Sequence, residues 1–215
     1  MKKIFLFFTI ITVSLSGFAQ GNDPAAKKIL DAVSTKFKSF KSVQATFTLK
    51  NEDNAGKVLG TKKGTVSMKG NKYRVSLAGQ EIFCDGITVW TYDKASNEVT
   101  INKVDNNSGS ITPQKLFTNF YDKDFLYKLN GEKKEAGKVL QEIEMTPVDK
   151  TKQFHKVYLQ VNKATQTLYS TKVLDKQQNR FTYTVTSMNG KVTLPDSMFT
   201  FDKSKYPGVE EVDLR

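Results

Sequence analysis

Val43-Gln44-Ala45-Thr46-Phe47-Thr48-Leu49-Lys50 alternates apolar and polar side chains without a break. Successive side chains of an extended strand point to opposite faces, so the stretch predicts a strand with one apolar and one wetted face. The same period of two returns in Tyr73-Arg74-Val75-Ser76-Leu77, in Lys156-Val157-Tyr158-Leu159-Gln160-Val161 and in Phe181-Thr182-Tyr183-Thr184-Val185-Thr186. Turn formers separate these segments: Asn54-Ala55-Gly56, Asp85-Gly86, Asn130-Gly131 and Asn189-Gly190. The pattern predicts a mainly β fold (α+β), one antiparallel sheet of roughly ten strands.

Just upstream the period changes. Ile29, Leu30, Val33, Phe37 and Phe40 recur at helical spacing over residues 24–40, behind an Asp23-Pro24 pair suited to the N-cap and first helical position. A second helix is expected from Thr112-Pro113, with Leu116, Phe117 and Phe120 on one side, after a polar loop at 105–110. Two short helices are little cover for so wide an apolar face. Such a sheet must curl. Either the helices fill the curl incompletely and an apolar cavity remains, or the sheet's own side chains fill the interior as in a sandwich or closed barrel. Periodicity leaves both open.

Composition narrows the function classes. The chain has 215 residues, enough for one domain with a sizeable core, and 38% of them are hydrophobic. With one Cys and one His, neither an intramolecular disulfide nor a two-histidine metal site can form. His155 lies in a strand-like run without a nucleophile elbow nearby, and reads as an exposed strand residue. Cys84, before the Asp85-Gly86 turn, reads as a small packed residue, and Glu142 and Glu144 share one strand face as solvated carboxylates. Dinucleotide- and phosphate-binding glycine motifs are missing, so no enzyme, metal or cofactor is expected.

The start of the chain has its own logic. Met1-Lys2-Lys3 precedes an apolar run at residues 4–13, then small residues with Gly17 and Ala19 at the −3 and −1 positions of a cleavage site. Residues 1–19 are read as a signal peptide and residues 20–215 as one exported, periplasmic domain; a membrane anchor is the alternative, although the apolar run is short for a span. Removing Lys2 and Lys3 takes the net charge from +11 to +9. Positive charge on an exported protein suits anionic membrane surfaces, or simply keeps it soluble. Export without a reader motif argues against nucleic acid.

Several segments, in order, resemble one family. Asp85-Gly86-Ile87-Thr88-Val89-Trp90-Thr91-Tyr92-Asp93 is similar to the D-G-x-x-[LV]-W-x-Y-[DN] hairpin of the outer-membrane lipoprotein carriers, the LolA-type periplasmic chaperones. Gly64 to Arg74 resembles that family's strand–turn–strand, Glu144-Met145-Thr146-Pro147 and residues 154–162 its next strands, and Phe199-Thr200-Phe201 with Pro207-Gly208-Val209 through Asp213 its ending. The resemblance implies an incomplete, curved antiparallel β-barrel with short helices as a lid over an apolar cavity. It implies lipoproteins as partners through their acyl chains, an inner-membrane ABC transporter as donor, a possible outer-membrane acceptor, and a monomer without cofactor. It places a latch at Lys69, where the family has arginine followed by proline; lysine and Gly70 stand here, and Val75 replaces a usual tryptophan. Lysine keeps the charge and loses the planar fork.

The expected cavity lining is the apolar face Phe47, Leu49, Tyr73, Val75 and Leu77, with Trp90 from the hairpin and Leu116 and Phe117 from the lid. Trp90 and Val89 point to opposite faces, and Trp90 is the one assigned inward. The alternatives are a carrier or sensor of another lipid on the same fold, and a β-rich polysaccharide-binding or adhesion domain with a filled core.

Overall fold

The computed structural model describes residues 22–105 and 121–215. They form one open, curved sheet of twelve strands and two short helices. The first meander is β1 (Val43–Glu52), β2 (Val58–Lys69), β3 (Lys72–Leu77), β4 (Gln80–Cys84), β5 (Thr88–Asp93) and β6 (Glu98–Lys103). The second is β7 (Phe125–Glu135), β8 (Lys138–Pro147), β9 (Phe154–Asn162), β10 (Thr167–Asp175) and β11 (Arg180–Asn189). β1 and β11 pair antiparallel and join the halves, while β12 (Glu210–Asp213) adds to β6 in parallel. The strand order is β12-β6-β5-β4-β3-β2-β1-β11-β10-β9-β8-β7. β7 and β12 remain the two ends of an unclosed sheet.

Helix α1 (Pro24–Lys38) forms where the sequence places it. Asp23 caps it, accepting from Ala25 N at 2.8 Å, and its other oxygen accepts from Leu129 N at 2.9 Å. The bond from Leu129, then that from Ala25, holds the Asp23 carboxyl below its usual range. Asn22 takes Tyr127 N at 3.0 Å, so the helix start also covers part of the free edge of β7. The buried stripe Ala26, Leu30 and Val33 faces the sheet. Ala26 and Leu30 join Phe125, Tyr127, Ile143, Met145, Val157 and Leu159 in one apolar cluster. Tyr121 of α2 (Tyr121–Asp124) donates to Asp31 at 2.7 Å and pins the helix from the side.

The opposite face of β3–β6 is covered by the C-terminal tail. Phe201 packs edge-on to Phe83 with centroids 5.7 Å apart, and Tyr206 lies 4.5 Å from Tyr92 and 4.6 Å from Phe201. Arg74 stacks over Phe83 and bonds Glu81, which also accepts from Tyr206. The tail is fastened by a turn at Asp196–Phe199, whose carboxylate takes Lys69 at 2.8 Å and Lys72 at 2.9 Å. These two hydrogen-bonded ammonium groups hold the Asp196 carboxyl at about 2. Its folded value therefore lies below the ~3.9 of a free Asp. The fastening contributes fully above about pH 4 and fades as pH falls through 2. Asp196→Asn should destabilise the protein at pH 7, and the difference from the parent should shrink toward pH 2, read by denaturant melts across pH.

One predicted turn is not a turn. Asn130-Gly131 lies inside β7, where the register to β8 slips between Leu129 and Gly131 and Gly131 has φ 125°. It is a β-bulge, which uses a glycine for the same reason a turn does. The hairpin closes at Ala136-Gly137, with φ 48° and 73°. Both central residues are left-handed, a type I′ demand that alanine meets poorly. Ala136→Asn should stabilise the protein by about 0.5–1 kcal/mol, seen as a raised melting temperature.

Candidate functional site

Cross-strand partners share a face, so the register shows which side chains look inward. Phe47 of β1 faces Gly64 of β2, which faces Leu77 of β3; Val66, Val75 and Ile82 form the next row. From Phe47 the other way, the rows run through Val185 on β11, then Tyr183 to Thr171 and Phe181 to Val173. All of these side chains except Gly64 line a single cavity of about 930 Å³. That is near the upper end of ligand-pocket volumes, ~300–1,000 Å³. Phe37 of α1 closes one flank, and Phe154 with Asp149, Thr151, Lys152 and Gln153 another.

The cavity has a direction. Its lining starts at Val43, Met68 and Met188 and reaches Phe181, the cross-strand partner of Asn51. Val43 to Asn51 is eight strand positions, ~26 Å at the usual rise per residue. The end at Val43 is apolar and backed by Phe37 and Phe40, which meet edge to face at 6.4 Å. At the far end the lining turns polar, with Asp149, Thr151, Lys152 and Gln153 from the β8–β9 loop.

Gly64 explains part of the open volume. A Cβ there would sit 2.5 Å from the Phe47 ring and 2.8 Å from the Ser76 carbonyl. The glycine lets the ring lie across β2 instead of standing up into the cavity.

Of the expected lining, Phe47, Val75 and Leu77 border the cavity. Leu49 and Tyr73 are on the same face but buried, at 7% and 6% exposure, Tyr73 within the packed layer around Val66 and Met68. Trp90 faces the other way. It pairs with Phe83 and Ile101 on the tail side, while Val89, opposite Cys84, packs on the inner cluster. The inward assignment of Trp90 is thus corrected to Val89. Leu116 and Phe117, and the second predicted helix, lie outside the described residues. Lys69 does bond a backbone carbonyl, that of Leu194 at 3.1 Å, so its ammonium ties the β2–β3 hairpin to the tail.

Sequence reasoning passed over β10 and most of the loop at 149–153. Leu168, Thr171 and Val173 alternate inward, but Tyr169 is inserted at a register slip, which breaks the period.

The polar groups singled out earlier have other partners. His155 Nδ1 lies 2.8 Å from the Asp175 carbonyl. Cys84 is 1% exposed, and burial pushes its thiol up, away from the reactive thiolate. Glu144 bonds Lys156 and Asn130, and the Lys156 ammonium holds its carboxyl below the usual range. Among the described residues no group of three or more His, Cys, Asp or Glu could hold a metal ion.

Fold and cavity together define a class of protein: an open β-sheet with an apolar-walled cavity inside its own curve. A sequence profile of the family described as "Outer membrane lipoprotein carrier protein LolA" matches residues 38–202, and the chain belongs to that family. It is similar to the outer-membrane lipoprotein carrier protein of Cupriavidus pinatubonensis, 28% identical over 200 residues, 89% of this chain and 92% of that one. The protein of the same name from Cupriavidus necator is 32% identical over 142 residues, 62% of this chain; the match spans 65% of that relative's length, just under two thirds. Among solved structures, an uncharacterized conserved protein from Thermus thermophilus shares the fold with a TM-score of 0.59 at 14% identity, over 88% of this chain and 99% of that one.

Proposed function

We propose that this chain is a periplasmic carrier that shelters the acyl chains of lipoproteins in its cavity and moves them from the inner to the outer membrane. The observation that carries the reading is the apolar, lengthwise cavity of about 930 Å³, bounded by Phe47, Val66, Val75, Ile82 and Val185. Its length suits an extended hydrocarbon tail lying parallel to the strands. Keeping each CH₂ from water is worth ~0.8 kcal/mol, so one 16-carbon chain represents on the order of 12 kcal/mol. Such a cargo crosses water only with a host that offsets most of that cost. Residues 1–19 act as the signal peptide, an ABC transporter of the inner membrane supplies the cargo, and an outer-membrane acceptor takes it from a monomeric carrier. The role proposed is binding and transfer, without catalysis.

A filled-core adhesion domain would leave no such space. The experiment is a titration of the purified chain with a fluorescent palmitoylated lipopeptide, joined to mass spectrometry of the protein as isolated. Saturable binding that protects the palmitoyl group from water, and an acylated cargo in the isolated protein, are expected. Failure to bind the lipopeptide overturns the reading; a copurified lipid of another kind redirects it to that lipid.

A further inference from the structure

Three loops meet at the polar end of the cavity. Arg180, at the start of β11, reaches the Asn54 carbonyl in the β1–β2 turn at 3.5 Å. Lys176, in the β10–β11 turn, donates its backbone N–H to the Gln153 carbonyl at 3.1 Å and its ammonium to the Thr151 carbonyl at 3.4 Å. The rim they form combines two features.

First, it carries bare aliphatic side chains. Val58 and Leu59, just past the β1–β2 turn, are 52% and 63% exposed, and Val148 at the head of the β8–β9 loop is 53% exposed. β2 overruns β3 here. Its pairing to β3 begins only at Gly64, so residues 58–63 project beyond the neighbouring strand and every one is exposed. Second, its charges are sorted. The carboxylates are engaged by backbone N–H groups of their own turns: Asp53 accepts from Lys57 N, Asp149 from Thr151 N, and Asp175 from Asn179 N. The ammonium groups of Lys57, Lys62, Lys63 and Lys152 make no hydrogen bond or ion pair among the described residues.

Aliphatic tips between unpaired lysines are the two components of interfacial binding: apolar insertion and attraction to anionic headgroups. We infer that the rim formed by the β1–β2 hairpin and the β8–β9 loop is a docking surface for an anionic lipid bilayer, and that it sets the polar end of the cavity against the membrane. A protein partner fits less well. Val58 and Leu59 stand on β2 and Val148 on the β8–β9 loop, so the aliphatic groups are spread over separate elements. The inference rests on the carrier reading only for its purpose, since the charge sorting and exposed tips are independent of what the cavity holds.

The test uses the chain from Gln20 onward, which contains every described residue, so that the apolar run at 4–13 cannot itself enter lipid. Cargo-free protein is sedimented with vesicles of phosphatidylglycerol and phosphatidylethanolamine, and with phosphatidylcholine alone. The parent should bind the anionic vesicles and release them at high salt. The pair Lys62→Glu and Lys63→Glu should weaken binding about tenfold or more. The pair Val58→Ser and Leu59→Ser should weaken it about tenfold, at unchanged salt dependence. All four positions are exposed, and unchanged thermal melts and lipopeptide titrations would show that fold and cavity survive. Parent protein that stays in solution with anionic vesicles overturns the inference, as a rim made for a protein partner would. Equal binding to neutral vesicles, or variants that bind like the parent, overturn it too. A failed lipopeptide titration of the parent would strike the carrier reading alone.

Discussion

Val75→Glu is expected to lower affinity for the palmitoylated lipopeptide by about 100-fold or more at pH 7 while the protein stays folded. Val75 sits mid-wall between Val66 and Ile82, half-buried and facing the cavity. In the empty protein a carboxylate there can keep its hydration, because a space of about 930 Å³ accommodates several waters at ~30 Å³ each. An acyl chain laid on the wall expels that water. The carboxylate must then be buried bare or take up a proton. Protonating a group of pKa ~4.3 at pH 7 costs about 4 kcal/mol, the lesser penalty. Binding thus selects the neutral acid, and the sign follows: affinity should recover as pH falls toward 4–5, where the parent changes little. Val75→Leu, which keeps the wall apolar, should bind like the parent. Titration of the three proteins at pH 7 and pH 5 checks this, and a glutamate variant within twofold of the parent at pH 7 would remove Val75 from the binding surface.

The legibility of this wall in the sequence depended on what lies behind each strand. β1 and β3 have solvent or polar groups on their outer face, so Phe47, Val75 and Leu77 stood out as the inward set. β5 is different. The tail residues Phe201 and Tyr206 cover its outer side, so Trp90 and Tyr92 are apolar for one face and Val89 for the other. A strand sandwiched on both sides loses its alternation, and no count of periods could orient it. The same tail explains Lys69. Its partners, the Leu194 carbonyl and Asp196, lie more than a hundred residues away in sequence. The family profile ends at residue 202, within that tail. In β2 the opposite problem arises: residues 58–63 are exposed on both faces, so this stretch carries no hydrophobic period to mark it as a strand.

Phe199→Ala is expected to destabilise the protein by about 3–5 kcal/mol without closing or filling the cavity. Phe199 is wholly buried and ends the Asp196–Phe199 turn that docks on β3 and β4. Removing its ring leaves a void among groups that cannot collapse easily, since Lys69 and Lys72 hold the turn at Asp196 and Phe83 is wedged between Phe201 and Arg74. Against a total stability of ~5–15 kcal/mol the loss is a large fraction, and at ~2–4 °C per kcal/mol the melting temperature should fall by about 10 °C. The inner wall belongs to the opposite face of the same strands. Ile82 lines the cavity, while Phe83, its neighbour in sequence, faces the tail. At a temperature where the variant is still folded, lipopeptide affinity should therefore lie within about threefold of the parent. A melt shift without an affinity shift would separate the two layers of the sheet: the tail holds the curve, and the curve holds the cargo. A parallel loss of both would mean that the tail also shapes the cavity wall, and that β3 and β4 transmit strain from one face to the other.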